Sequence, residues 1–171
     1  FHTNHPFLMV MAGPFGSGKS SVINALHGEE VMEVGPIPTT DHTVILRKGP
    51  DIQRTPAGDV ETVFHPSPLL ENLSLVDTPG LESVFRTHDE VTRRFLQRPD
   101  VVVLVMIATP VLTASNLAYL QELKAYGQPV IVVVNQIDVL APDDSAQVRE
   151  FFLEQARLTP RIEQHAWRMP A

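Results

Sequence analysis

Residues 13–21 read GPFGSGKSS, and the eight from Gly13 to Ser20 fit the spacing G-x-x-x-x-G-K-[ST]. With ordinary glycine usage, chance produces that spacing in roughly one of a few hundred chains this long. Its surroundings sharpen the reading. The apolar run Phe7-Leu8-Met9-Val10-Met11 precedes it and a helical pattern from Lys19 to His27 follows, which is the strand–loop–helix setting the spacing requires. Glycines let such a loop close into a concave nest whose N–H groups converge on phosphate oxygens. The helix that starts near Lys19 aims the positive end of its dipole at the same anion. Gly13, Phe15, Gly16, Ser17, Gly18, Lys19, Ser20 and Ser21 are therefore candidate phosphate-binding residues. Lys19 is placed to reach the β- and γ-phosphates, and the Ser20 hydroxyl to ligate Mg²⁺.

Downstream, apolar runs alternate with helical patterns. Strands are expected at Phe7–Met11, Thr43–Lys48, Val60–Phe64, Leu73–Val76, Val101–Ile107 and Val130–Val134. Helices are expected at Lys19–His27, Asp89–Gln97, Thr113–Tyr126 and Asp143–Arg157. The valine-rich runs at 101–107 and 130–134 suit parallel strands covered on both faces. The alternation predicts an α/β domain with a mainly parallel sheet, whose ligands bind beyond the carboxyl ends of the strands. Thr43 to Phe64 reads differently. Two strand-like runs flank GPDIQRTPAGD, which predicts an antiparallel pair joined by a long exposed connection at one sheet edge.

Two more strand ends carry polar signals. Asp77-Thr78-Pro79-Gly80 closes the run LSLV, where a carboxylate can hold a water on Mg²⁺ and the Gly80 N–H can bond a γ-phosphate; read alone, Asp77 is a helix cap or turn residue. Asn135 and Asp138 follow the run IVVV. An aspartate there can accept both hydrogen bonds offered by the N1–H and N2–H₂ edge of guanine, which adenine does not present. Gln136 stands between them, its stem able to pack on a purine face. Between the loop and Asp77, Pro36 and Pro38 force an extended path into Thr39-Thr40. A threonine here can ligate Mg²⁺ and bond the γ-phosphate, ordering the segment while the third phosphate is present.

Composition narrows the alternatives. The chain has 171 residues, 43% of them hydrophobic, enough for one domain with its own core. Thirteen basic against 20 acidic residues give a net charge of −7 with no basic stripe, which argues against a nucleic-acid surface. There is no cysteine, as suits a reducing cytoplasm. A chain that opens on Phe1 reads as a piece of a longer protein. The seven histidines show no ligand spacing; His2, His5, His42, His65 and His88 read as solvated positions near a terminus or in loops. Arg86, Arg93 and Arg94 read as solvated helix charges, and Trp167 as a packing residue.

The order of P-loop, PTT, DTPG and N-x-x-D is that of a GTPase G domain. The stretch GSGKSSVINALHGEEVMEVGPIPTTDHTVIL resembles the dynamin superfamily, in which GKSSxxNALxG runs into a Pro-Thr-Thr switch. LVDTPGLES, and the run from Phe95 to Asp138, are similar to the bacterial dynamin-like branch, while GPIPTTD is also similar to the Eps15-homology-domain ATPases. The resemblance implies a P-loop NTPase three-layer sandwich, a mainly parallel sheet with one antiparallel edge strand. It implies Mg²⁺-dependent hydrolysis of GTP to GDP by a cytoplasmic module, peripheral at the inner face of a membrane. Such a module forms a homodimer through the nucleotide face, remodels membrane lipid through parts outside this chain, and binds no nucleic acid. Carried over by position, Lys19, Thr40 and Gly80 are the catalytic residues, and Ser20, Thr40 and Asp77 the Mg²⁺ ligands. Thr39 is the ligand if the switch is offset by one, and Asn135, Gln136 and Asp138 meet the base.

The departures are specific. Gly16 replaces a serine that in animal dynamins helps hold a monovalent cation, Gln136 replaces the usual lysine, and Leu81 stands where some GTPases carry a water-orienting glutamine. Slow turnover by a monomer is the expectation. The dynamin-like G domain is expected at residues 1–158. Residues 159–171 match poorly: Ile162 to Arg168 is either a degraded guanine loop with Ala166 in the alanine slot, or an unrelated segment. A ribosome-assembly-type GTPase and a GTP-binding sensor with little hydrolysis are the competing readings.

Overall fold

The computed structural model describes residues 5–34, 42–79, 99–108, 121, 127, 129–157 and 162–163. Thr39, Thr40, Gly80, Leu81, the expected helix Asp89–Gln97, most of that at Thr113–Tyr126, the three arginines, His88, Ala166 and Trp167 lie outside them. Eight strands form one sheet: β1 (Phe7–Ala12), β2 (Thr43–Lys48), β3 (Gln53–Ala57), β4 (Val60–His65), β5 (Leu73–Asp77), β6 (Val101–Ile107), β7 (Val130–Asn135) and β8 (Ile162–Glu163). Their order is β3-β4-β2-β5-β1-β6-β7-β8. Two α-helices are described, α1 (Lys19–His27) and α2 (Pro142–Arg157).

The apolar runs become the centre of the sheet. β5, β1, β6, β7 and β8 run parallel, with Val10 opposite both Val76 and Val102, and Val105 opposite Val133. Residues alternate between two faces, as strand geometry demands. One face gathers Val10, Ala12, Ile45, Val76, Val102, Leu104, Met106 and Val130. The other gathers Met11, Val44, Leu46, Val63, Leu75, Val103 and Val105, onto which Val22 and Ile23 of α1 pack together with Val31, Met32 and Leu70. Burial on both faces explains why β6 is apolar at every position.

The reading of residues 43–64 needs correction. β2 and β4 are parallel, from Thr43 opposite Val60 to Lys48 opposite His65. The supposed connection contains β3, which returns along the outer edge and pairs antiparallel with β4. The tight turn between them passes through Gly58 at φ 62, a left-handed conformation suited to glycine. β2 in turn runs antiparallel to β5. β3 escaped notice because all five residues are exposed and one is Pro56, which suppresses a strand signal yet is tolerated on an edge. β8, two residues long, pairs parallel with β7, Val130 opposite Ile162.

One histidine also departs from expectation. His65 ends β4 at 4% exposure rather than lying in a solvated loop. Its Nδ1 accepts the Ser67 N–H at 3.2 Å, its Nε2 lies 3.8 Å from Glu29 Oε1, and its ring meets His27 of α1 edge-on with centroids 5.9 Å apart.

Candidate functional site

The carboxyl ends of β1, β5 and β7 share one rim of the sheet, because these strands belong to its parallel core. From β1 the chain enters the glycine loop and then α1. Gly13, Gly16 and Gly18 all take positive φ, at 148°, 71° and 89°. A Cβ at Gly13 would meet the Val105 carbonyl oxygen of β6 at 2.1 Å, and one at Gly18 the Asn135 Nδ2 at 2.2 Å. Both glycines are thus required twice, by backbone conformation and by close approach. Gly16 has nothing within 4 Å of the same point, and Phe15 beside it is half exposed.

Lys19 opens α1 and is buried at 7% exposure. Its ammonium donates to the carbonyls of Gly13 and Pro14, at 3.3 and 3.2 Å, so the side chain folds back over its own loop. Burial lowers the lysine pKa, and the nearby Asp77 carboxylate opposes that shift. The next residue, Ser20, donates its hydroxyl to Asp77 Oδ2 at 2.6 Å, joining α1 to the end of β5. Asp77 is 1% exposed, and burial raises its pKa despite the Ser20 bond and Lys19. Its Oδ1 is buried and takes no hydrogen bond among the described residues. Both buried charges are under-satisfied. The ammonium has neutral carbonyl partners, and the carboxylate keeps one oxygen without a partner among the described residues. A phosphate at the helix N-terminus would stabilise the first, and a hard cation ligated by oxygens the second.

The end of β7 joins this cluster through one side chain. Asn135 Nδ2 donates to the Ser17 carbonyl at 3.0 Å, and its Oδ1 accepts the Gln136 N–H at 2.9 Å. That second bond accompanies a left-handed Gln136 at φ 58, after which Asp138 lies exposed in a short 3₁₀ turn, Ile137–Val139. Asn135 thereby ties the expected base-reading turn to the phosphate loop across 118 residues of sequence.

The geometry brings Lys19, Ser20, Asp77 and the glycine loop together, with Asn135 behind Gly18. Ser21 is half-buried within α1. The Ser17 side chain is fully buried and its hydroxyl lacks a partner among the described residues, while its backbone N–H donates to the Pro14 carbonyl at 3.2 Å. Two contributors went unread in the sequence. Thr78 donates its hydroxyl to the Met11 carbonyl at 2.8 Å, bracing the end of β1 against the residue after Asp77. Asn24 clamps the chain beyond α1. Both sit inside the quoted motifs, yet a hydroxyl or amide bonding a distant backbone leaves no periodic trace.

A sheet of this order with a phosphate loop between β1 and α1 is that of a GTPase G domain. The model of the dynamin family matches residues 9–62 and 52–137, well over half of the 171, and the chain belongs to that family. Among relatives, it is 33% identical over 143 residues to a probable transmembrane GTPase, FZO-like and chloroplastic, of Arabidopsis thaliana, covering 80% of this chain and 16% of that protein. Dynamin-like protein A of Bacillus subtilis is 24% identical over 157 residues, covering 76% and 13%. In three dimensions the chain superposes on an oligomerised bacterial dynamin pair described as sensing and tethering membranes at long range (TM-score 0.79, 20% identity, 96% of this chain and 33% of that one). Era of Aquifex aeolicus superposes with TM-score 0.64 at 20% identity, covering 93% and 50%. The chain spans less than a fifth of the length of the Arabidopsis and Bacillus relatives.

Proposed function

We propose that this domain binds GTP with Mg²⁺ and hydrolyses it to GDP and phosphate, and that in its longer parent protein the cycle drives membrane remodelling. The observation that carries the reading is the cluster of buried Lys19 and Asp77 with half-buried Ser20 at the joint of β1, β5 and the start of α1. Lys19 turns its ammonium from the Gly13 and Pro14 carbonyls to the β- and γ-phosphates, while the amides of Gly13 to Ser21 cradle the chain of phosphates. Ser20, Asp77 and Thr40 (or Thr39) would hold Mg²⁺, which when bound would supply neutralisation of phosphate charge. Two oxygens of that set already lie together, Ser20 Oγ and Asp77 Oδ2, with Asp77 Oδ1 beside them lacking a partner among the described residues. Gly80 offers its amide to the γ-phosphate. Asp138 accepts the guanine edge, Asn135 fixes that turn, and Gln136 packs on the ring.

Catalysis here is positioning and charge stabilisation without a covalent intermediate. The domain is cytoplasmic and acts at the membrane surface, with pairing of two copies across the nucleotide face supplying groups a monomer lacks. Among the described residues no helix is long and apolar enough to cross a membrane. Residues 1–158 are taken as the G domain, with β8 (Ile162–Glu163) pairing onto β7 just beyond that boundary.

The test is direct. Lys19→Ala should weaken GTP affinity by about 100-fold or more, as expected when a buried charge-assisted contact is removed. Unchanged affinity would overturn the proposal. Phosphate release per molecule should rise with protein concentration and with liposomes. A flat, near-zero rate with GTP affinity intact identifies a sensor instead, and stimulation by RNA a ribosome-assembly GTPase.

A further inference from the structure

α1 carries Lys19 and Ser20 in its first turn, and one turn on, four residues after Ser20, it carries Asn24. Asn24 uses both ends of its amide on one dipeptide. Its Oδ1 accepts the N–H groups of Val31 and Met32 at 3.0 and 2.8 Å, and its Nδ2 donates to the Met32 carbonyl at 2.8 Å. The side chain thus pairs with the backbone as a neighbouring strand would. Val31 and Met32 are already anchored by burial, at 6% and 4% exposure against Val22, Ile23 and Met11. Apolar burial tolerates sliding; three directional bonds do not. What Asn24 adds is register. From Met32 the chain has eight residues to reach Thr40.

We propose that Asn24 is a positioning residue that fixes the Val31–Met32 stem against the helix bearing Lys19 and Ser20, and so sets recognition of the third phosphate without governing GDP binding. The inference rests on the proposed function, since it assumes that the threonines beyond the stem meet that phosphate. The loop amides, and Lys19 through the β-phosphate, serve GDP and GTP alike; the threonines beyond the stem act, with Gly80, on the third phosphate alone.

The experiment compares wild type with Asn24→Asp, which keeps the acceptor and sets an oxygen against the Met32 carbonyl, and with Asn24→Leu, which removes all three bonds at similar volume. GDP affinity, affinity for a non-hydrolysable GTP analogue with Mg²⁺, kcat, KM and Tm are measured for each. Affinity for the analogue should fall about tenfold and kcat with it, while GDP affinity stays within about twofold. Equal losses for both nucleotides, or none for either, overturn the inference. Should both variants fail to fold, hydrogen exchange on wild type decides. The Val31 and Met32 amides must exchange slowly with either nucleotide bound, and rapid exchange overturns the clamp. A wild-type protein that binds neither nucleotide overturns the proposed function and this inference with it; binding with equal losses overturns the inference alone.

Discussion

Gly16 and Gly18 lie two residues apart in the same loop and face opposite circumstances. At Gly16 a methyl group meets open space, so Gly16→Ala should cost only the left-handed backbone strain, about 1–2 kcal/mol. At Gly18 the methyl group also collides with Asn135 Nδ2 and breaks the bond from that amide to Ser17. Gly18→Ala should lower the melting temperature of the protein markedly more than Gly16→Ala, and equal shifts would show that the Asn135 contact matters little. Ser17 supports the opposite kind of prediction. Its hydroxyl is buried and unpartnered among the described residues, so Ser17→Ala should stabilise the fold by about 1 kcal/mol in chemical denaturation. At this scale the sequence was legible where a residue acts through its local pattern. The glycine spacing, Lys19 and Ser20 mark the tight turn from β1 into α1 by position alone. The inward turn of the Ser17 hydroxyl and the fold-back of Lys19 onto the Gly13 and Pro14 carbonyls depend on surroundings that no spacing encodes.

At the level of elements, apolar runs (continuous except for Ser74 in β5) announced β1, β5, β6 and β7, and the observed ends differ from expectation by a residue at most. β3 was illegible because an edge strand exposed throughout has no alternation to display, and with β3 missing, β2 and β4 could only be read as a hairpin. The junction of α1 and β4 was equally hidden, since His27 and His65 are 38 residues apart in sequence and meet only after both elements dock. Burial, followed by the neighbouring His65, lowers the His27 pKa, and Glu29 opposes both. The unfolded chain therefore takes up a proton near the ordinary value of 6.5, and the folded one only at lower pH. His27 should leave stability intact above about pH 6.5 and erode it as pH falls from there towards the folded value. Denaturation midpoints measured from pH 7.5 down to 5.5 should fall in wild type and fall less in His27→Leu; parallel curves would exclude His27 as the source.

For the molecule as a whole, the alternation of strands and helices disclosed an α/β sheet with its site at one rim, and sheet order then placed Asp77 beside Ser20 and Asn135 behind Gly18. Sheet order itself was legible only by resemblance, because pairing between distant strands leaves no mark in any one of them. The outermost strand carries a last consequence. Pro56 is the fourth of the five residues of β3 and offers no amide to a strand arriving from another molecule. That flank is a poor template for fibril growth. Replacing the proline with valine should leave the monomer's melting temperature near its original value yet bring on thioflavin-positive aggregates at high concentration, whereas an unchanged solubility limit would mean that the protection lies elsewhere.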